Sequence, residues 1–177
     1  MENQNHAFNY AYLLKQVKAR VLLAQKKAIY TANEEMLSMY WDIGKLLSES
    51  QKQIGWGNNA LEKLANDLKN DYPEMKGFSV RNCQFMIQFY NEYNQQLTNT
   101  KRAVSYLNNN EIVLPISKLG WSHNITLMQR TKDIKARYWY MIQCLKNGWS
   151  RDFLIEAIKQ DYYHSHGALA SNFDTTL

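Results

Sequence analysis

Only two prolines and seven glycines interrupt the 177 residues. With so few breakers and long stretches of helix formers, the chain reads as almost entirely helical. It has just two cysteines, Cys83 and Cys144. They lie far apart, each within an apolar helical pattern, as expected of reduced, packed thiols in a cytoplasmic protein, and this argues against a redox or zinc role. Four histidines are too few and too scattered for a metal site, and His164 and His166 sit two apart, a spacing unsuited to one helix face. No run approaches the roughly 20 apolar residues of a membrane span. The start, Met1 to Asn9, has no basic-then-apolar export pattern. Gly-x-Ser-x-Gly, a Gly-rich loop ending in Lys-Ser/Thr, and Cys-x-x-Cys are all missing, which removes the common nucleophile and phosphate-loop chemistries.

What is present describes a folded domain. Apolar residues make up 45% of the chain and aromatics 13%, and a chain this long buries roughly 70% of its unfolded surface without needing disulfides or metal. Lys and Arg outnumber Asp and Glu by 21 to 16, for a net charge of +5. That excess suits a polyanionic partner but is spread along the chain. Any nucleic-acid footprint must therefore come from folded geometry.

The apolar residues step by three and four. Leu14, Val17, Val21, Ala24 and Ala28 are followed, after one extra four-step, by Ala32, Met36, Met39, Ile43 and Leu46. This is a coiled-coil-like stripe with a stutter. One helix from about 9 to 50, roughly 60 Å long, fits it. So does a helix pair broken near Thr31, where Thr31 and Glu34 have capping-box spacing. The stripe suits intramolecular packing or self-association through an exposed seam. Gly55-Trp56-Gly57 ends the pattern, and Asn58 or Asn59 can cap a second helix whose apolar face is Leu61, Leu64, Ala65, Leu68 and Tyr72. After Pro73, a third helix runs to about Tyr93 with Val80, Cys83, Ile87 and Tyr90 inward. Two helices joined by a Gly-containing turn outline a helix-turn-helix.

The triplet Gly, aromatic, Ser occurs at 77–79, 120–122 and 148–150. Each reads as helix-start punctuation, with Ser as N-cap. Later helices are predicted at about 122–131, 133–146 and 150–163, and residues 165–177 read as a linker or tail. Between 95 and 120, a short hairpin formed by 104–107 and 112–114 around Asn108-Asn109-Asn110 would sit like the wing of a winged helix. The fold class expected is all-α, with 1–57 as the long helix or helix pair and 58–164 as the helix-turn-helix-like region packed with it.

Arg81, Gln84, Gln88 and Asn91 recur at steps of three, four and three, forming one polar stripe on the third helix. Arg suits guanine, and Gln and Asn suit adenine, through bidentate major-groove contacts. A merely solvated face is the competing explanation. Lys76, Ser79 and Asn82 surround the helix start and can contact phosphates. His123 follows a predicted Ser cap, where it can contact phosphate or pack on Trp121. Arg130, Lys132, Lys135, Arg137 and Arg151 lie near helix junctions and can extend the track. The five tryptophans and twelve tyrosines fit core positions better than base-stacking platforms. Glu74-Met75-Lys76 has the spacing of the Glu-x-Lys half of the PD-(D/E)xK nuclease signature. No apolar strand with a placed Asp precedes it, so it carries no catalytic assignment.

Tyr40-Trp41-Asp42-Ile43-Gly44, Gly55-Trp56-Gly57, Leu64-Ala65-Asn66-Asp67-Leu68, Pro73, Gly77-Phe78-Ser79-Val80-Arg81-Asn82, Phe89-Tyr90, Trp121-Ser122-His123, Tyr138-Trp139-Tyr140 and Gly148-Trp149-Ser150-Arg151 occur in this order. From roughly Tyr10 to Phe173 the chain resembles the N-terminal domain of the YhcG family of bacterial proteins. In that family, a helical domain of uncertain function precedes a PD-(D/E)xK nuclease domain. The connection before Trp121 departs from the family pattern by its length. The resemblance implies that this chain stops about where the nuclease domain would begin, so it lacks the catalytic residues and is not expected to cut DNA alone. The expected function is a DNA-binding or targeting module for a linked nuclease, with no cofactor and no metal. The alternative is a protein-interaction or dimerisation module without DNA contact.

Overall fold

The computed structural model describes residues 2–54, 58–103 and 115–167. The described residues form six α-helices in order: α1 Glu2–Ile54, α2 Asn58–Asp71, α3 Val80–Ala103, α4 Trp121–Arg130, α5 Ile134–Asn147 and α6 Arg151–Lys159. A 3-10 turn at Ile116–Lys118 precedes α4, and a π-helical turn at Tyr163–Gly167 follows α6. No strand occurs among the described residues, and no helix there is long and apolar enough to cross a membrane. The fold is all-α. The hairpin considered for 104–114 lies outside the described residues, as does the tail from 168 onward.

Helix α1 is continuous over 53 residues, about 80 Å at 1.5 Å per residue. Thr31 starts no second helix, because neither Gly nor Pro lies between Glu2 and Ile43 to favour leaving the helical conformation. The helix divides into two parts. Residues 10–32 are exposed at every position, while burial begins at Asn33. There the Asn33 amide donates to the carbonyls of Ser117 and Leu119, both at 3.1 Å, fastening α1 to the 3-10 turn.

The face of α1 that meets α3 is not the stripe read from the sequence. Leu37, Tyr40, Leu47 and Ser48 are buried, whereas Leu46 is 64% exposed. The stripe residues Met36, Met39 and Ile43 lie on the flank and are only half-buried. Gly44 explains the choice of face. A Cβ there would run into the Met86 backbone carbonyl and approach Tyr90 Cβ at 3.2 Å. The two backbones therefore approach more closely than any side chain allows.

Helix α3 is covered on three sides. Cys83 packs with Leu47 of α1 and Leu61 of α2. Met86 joins Tyr40 and Phe78. Phe89 and Tyr93 enter the largest cluster with Leu127, Met128, Met141 and Leu154. This three-sided burial shifts the inward line to Cys83, Met86, Phe89 and Tyr93 and leaves the expected Ile87 and Tyr90 half-buried. The α2–α3 connection, 72–79, has eight residues, longer than the three or four of a helix-turn-helix. The resemblance to that motif is in outline only.

Two of the three Gly-aromatic-Ser triplets work as expected. Ser79 Oγ accepts from Asn82 N at 3.2 Å, and Ser150 Oγ accepts from Phe153 N at 3.2 Å. At 120–122 the cap is Gly120 instead, and Ser122 lies inside the first turn. Trp121 must already be helical there to set its ring 4.8 Å from Tyr40 and 5.2 Å from Phe89. Asp133 caps α5 through Lys135 N, and Gly148, with φ of 64°, ends it in the left-handed conformation. Helix α6 ends at Lys159, earlier than the periodicity predicts.

Gly44→Ala is expected to cost about 1 to 3 kcal/mol or more through overpacking of the α1–α3 contact. In a chain of this size that lowers the midpoint of thermal unfolding by several degrees. Burial pushes the Cys144 thiol up to about 11, above the ordinary thiol value of about 8.5. An unfolded thiol ionises first, so this contribution is complete below that ordinary value and is lost as pH climbs through the folded value. Stability is expected to fall on the alkaline side, and less steeply in Cys144→Ala, as read from denaturant midpoints across a pH series.

Candidate nucleic-acid interface

The sequence places thirteen candidate residues around the start of α3 and the later helix junctions, and the structure divides them by what each side chain already holds. Lys76, in the α2–α3 connection, is exposed, as are Arg81 and Gln84 on the first turns of α3. The Arg81 guanidinium lies 5.6 Å from the centroid of the Phe85 ring, which steadies it without consuming its donors. Ser79 is exposed but acts as the helix cap. Arg130, Lys132, Lys135 and Arg151 are exposed, the first two flanking Thr131, the third in the first turn of α5 and the fourth opening α6.

The other candidates are committed to the fold. Asn82 Nδ2 donates to the Gly77 carbonyl at 2.6 Å, and its Oδ1 accepts from the Trp121 indole at 2.7 Å. One amide thus holds the α2–α3 connection and the start of α4 to α3. Asn91 accepts from Ser48 Oγ at 2.7 Å and is half-buried against α1. The outward stripe therefore does not extend to it, a correction caused by α1 lying over that flank. Gln88 donates to Glu92 Oε1 at 2.8 Å and is half-buried as well. His123 Nε2 lies 2.9 Å from the Trp149 carbonyl. A carbonyl only accepts, so this nitrogen carries the proton and ties α4 to the α6 start.

Arg137, counted among the basic set in the sequence, is a core residue at 3% exposure. Its Nη1 meets Glu92 Oε2 at 2.7 Å, while Nε and Nη2 donate to the Thr131 carbonyl at 3.2 and 2.6 Å. The guanidinium also covers the Tyr93 ring at 5.3 Å. Its charge is matched internally and adds nothing to an outer track. A buried charge left without its partner costs several kcal/mol, so Glu92 is a structural requirement.

These hydrogen bonds bring the separate candidates together. Asn82 sets the α4 start beside the α3 start, and His123 sets the α6 start beside the α4 start. In the other direction, Gln88, Glu92 and Arg137 run in bonded sequence to Thr131, between Arg130 and Lys132. Sequence reasoning missed Glu92 as Arg137's partner and Asn124 as the amide that binds the carbonyls of Ile116 at 3.0 Å and Gly120 at 3.3 Å. Neither carries a local signal, since each works through a neighbour supplied by the fold. Glu74 and Lys76 remain in an exposed connection between helices, and no group of three metal-ligating side chains occurs among the described residues.

Asn82→Ala removes two hydrogen bonds and leaves the indole N–H of Trp121 without its acceptor. A loss of about 1 to 3 kcal/mol is expected, with a change in tryptophan emission on the folded baseline, measured by fluorescence-detected urea unfolding.

The model of one protein family, described as the DUF1016 N-terminal domain, matches residues 16–165. No curated protein matches, and no solved structure matches.

Proposed function

Because the chain belongs to the DUF1016 N-terminal domain family, whose description assigns no activity, we propose from its geometry that it is a DNA-binding or targeting module. It contacts the nucleic acid through the start of α3 and serves a linked nuclease. The observation that carries this reading is the clustering of three helix starts, those of α3, α4 and α6, bound to one another through Asn82 and His123. Helix N-termini present amide hydrogens and the positive end of the helix dipole, both suited to phosphate. Lys76, Arg81 and Arg151 stand exposed on these same starts.

The division of labour follows from which side chains are free. Arg81 and Gln84 face outward on the first turns of α3, while Gln88 and Asn91 farther along are held by Glu92 and Ser48. A helix whose first turns present free side chains can reach base edges end-on, as recognition helices do. Arg81 is the side chain suited to guanine and Gln84 to adenine. Lys76, Arg130, Lys132 and Arg151 supply phosphate contacts, and these make affinity fall with salt.

Binding of labelled duplex and branched DNA across a salt series tests this. Affinity is expected to drop steeply with salt, and Arg81→Ala is expected to lose about 1 to 3 kcal/mol in a protein that stays folded. Absence of binding at low salt by the folded chain overturns the proposal, and unchanged affinity in Arg81→Ala overturns the placement.

A further inference from the structure

Residues 10–32 of α1 are exposed at every position. Between Tyr10 and Tyr30, ten large apolar side chains are between 37% and 69% exposed. A helix this apolar is normally covered. Leu14, Val17 and Val21 form one line along it, and continuing the same steps of three and four down the helix reaches Met39, Ile43 and Leu46. These last three line an open groove of about 560 Å³ between α1 and α2, completed by Leu64 and Leu68. The free arm and the groove thus share one face of a single helix.

Their charges are opposite. Residues 10–33 carry five Lys or Arg and no Asp or Glu, whereas the stretch 34–78, from which the groove lining is drawn, carries eight acidic and five basic side chains. A surface that is apolar throughout, basic at one end and acidic at the other is self-complementary when two copies meet head to tail. Aligned in parallel, the same helices would set five cations of one arm beside five of the other.

We propose that the groove's occupant is the α1 arm of a second copy of this chain, the two α1 helices pairing antiparallel about a twofold axis near Tyr30. This register sets Val21 against Met39 of the second copy, Val17 against Ile43 and Leu14 against Leu46. It also brings Lys18 to Asp42 and Lys26 to Glu34, all four of them exposed within a single copy. Leu22 lies beside the line on the arm, opposite Ser38 of the second copy at the mouth of the groove, and Ile29 lies next to the twofold axis. The twofold repeats the arm–groove contact, so the interface contains it twice.

The pairing is independent of the DNA proposal and is tested without nucleic acid. Sedimentation of the full chain over a concentration series is expected to give a dimer. Val21→Asp, on the exposed arm, is expected to weaken association by about tenfold or more while the helical circular dichroism of the body is kept. A mixture of Val21→Cys chains with Met39→Cys chains is expected to form the mixed disulfide dimer under mild oxidation, against a low background because Cys83 and Cys144 are buried. A monomer at every concentration overturns the proposal. Cross-linking of Val21→Cys chains to each other in preference to Met39→Cys chains overturns the antiparallel register.

Discussion

Helix α1 lies against α3 because residue 44 has no side chain. The Met86 carbonyl occupies the space a Cβ would need, and this close approach sets how deeply the neighbouring aromatics reach. Tyr40 comes to Trp121 at 4.8 Å, and Trp41 meets Phe89 at 5.7 Å and Tyr90 at 5.2 Å, edge to face. Through Trp121 and Phe89 the same contact reaches the cluster of α4, α5 and α6. The N-terminal helix, the middle pair and the C-terminal helices form one body because two backbones meet at one glycine.

A second layer of order comes from side-chain amides. Asn33 and Asn124 hold the turn before α4, and Asn82 holds the chain on both sides of the α3 start. Between them they pair carbonyl and indole groups that packing partly withdraws from water, and leaving such groups without partners costs stability. Asn, Gln, His and Arg are also the residue types from which a nucleic-acid surface is built. In this domain many of them are spent on internal joints. The side chains left free, Lys76, Arg81, Gln84, Arg130, Lys132 and Arg151, lie at the edges of those joints, so the architecture positions them without consuming them.

The arm of α1 and the start of α3 belong to different parts of the molecule. Residues 10–32 of the arm are exposed at every position, while α3 is covered on three sides. A twofold pair built through the arms carries two α3 starts on one particle. Binding of one to a nucleic acid would then raise the effective concentration of the other, giving affinity beyond that of a single contact.

Sequence alone determined the helical class, most helix starts and the two caps at Ser79 and Ser150, because capping, glycine conformation and apolar period act over three or four residues. It also identified the family, through motifs spread over the chain. It left open whether α1 breaks at Thr31, since a capping box is a permission and not a requirement. Only the tertiary structure decided which face of α1 packs, that Arg137 is buried, and that Asn82 and Asn91 are tied down. The partners that decide these matters are 39 residues away for Asn82, 43 for Asn91 and 45 for Arg137. An amide or guanidinium has the same donors in any fold, and whether they meet solvent, phosphate or a carbonyl depends on what long-range packing brings within hydrogen-bond reach.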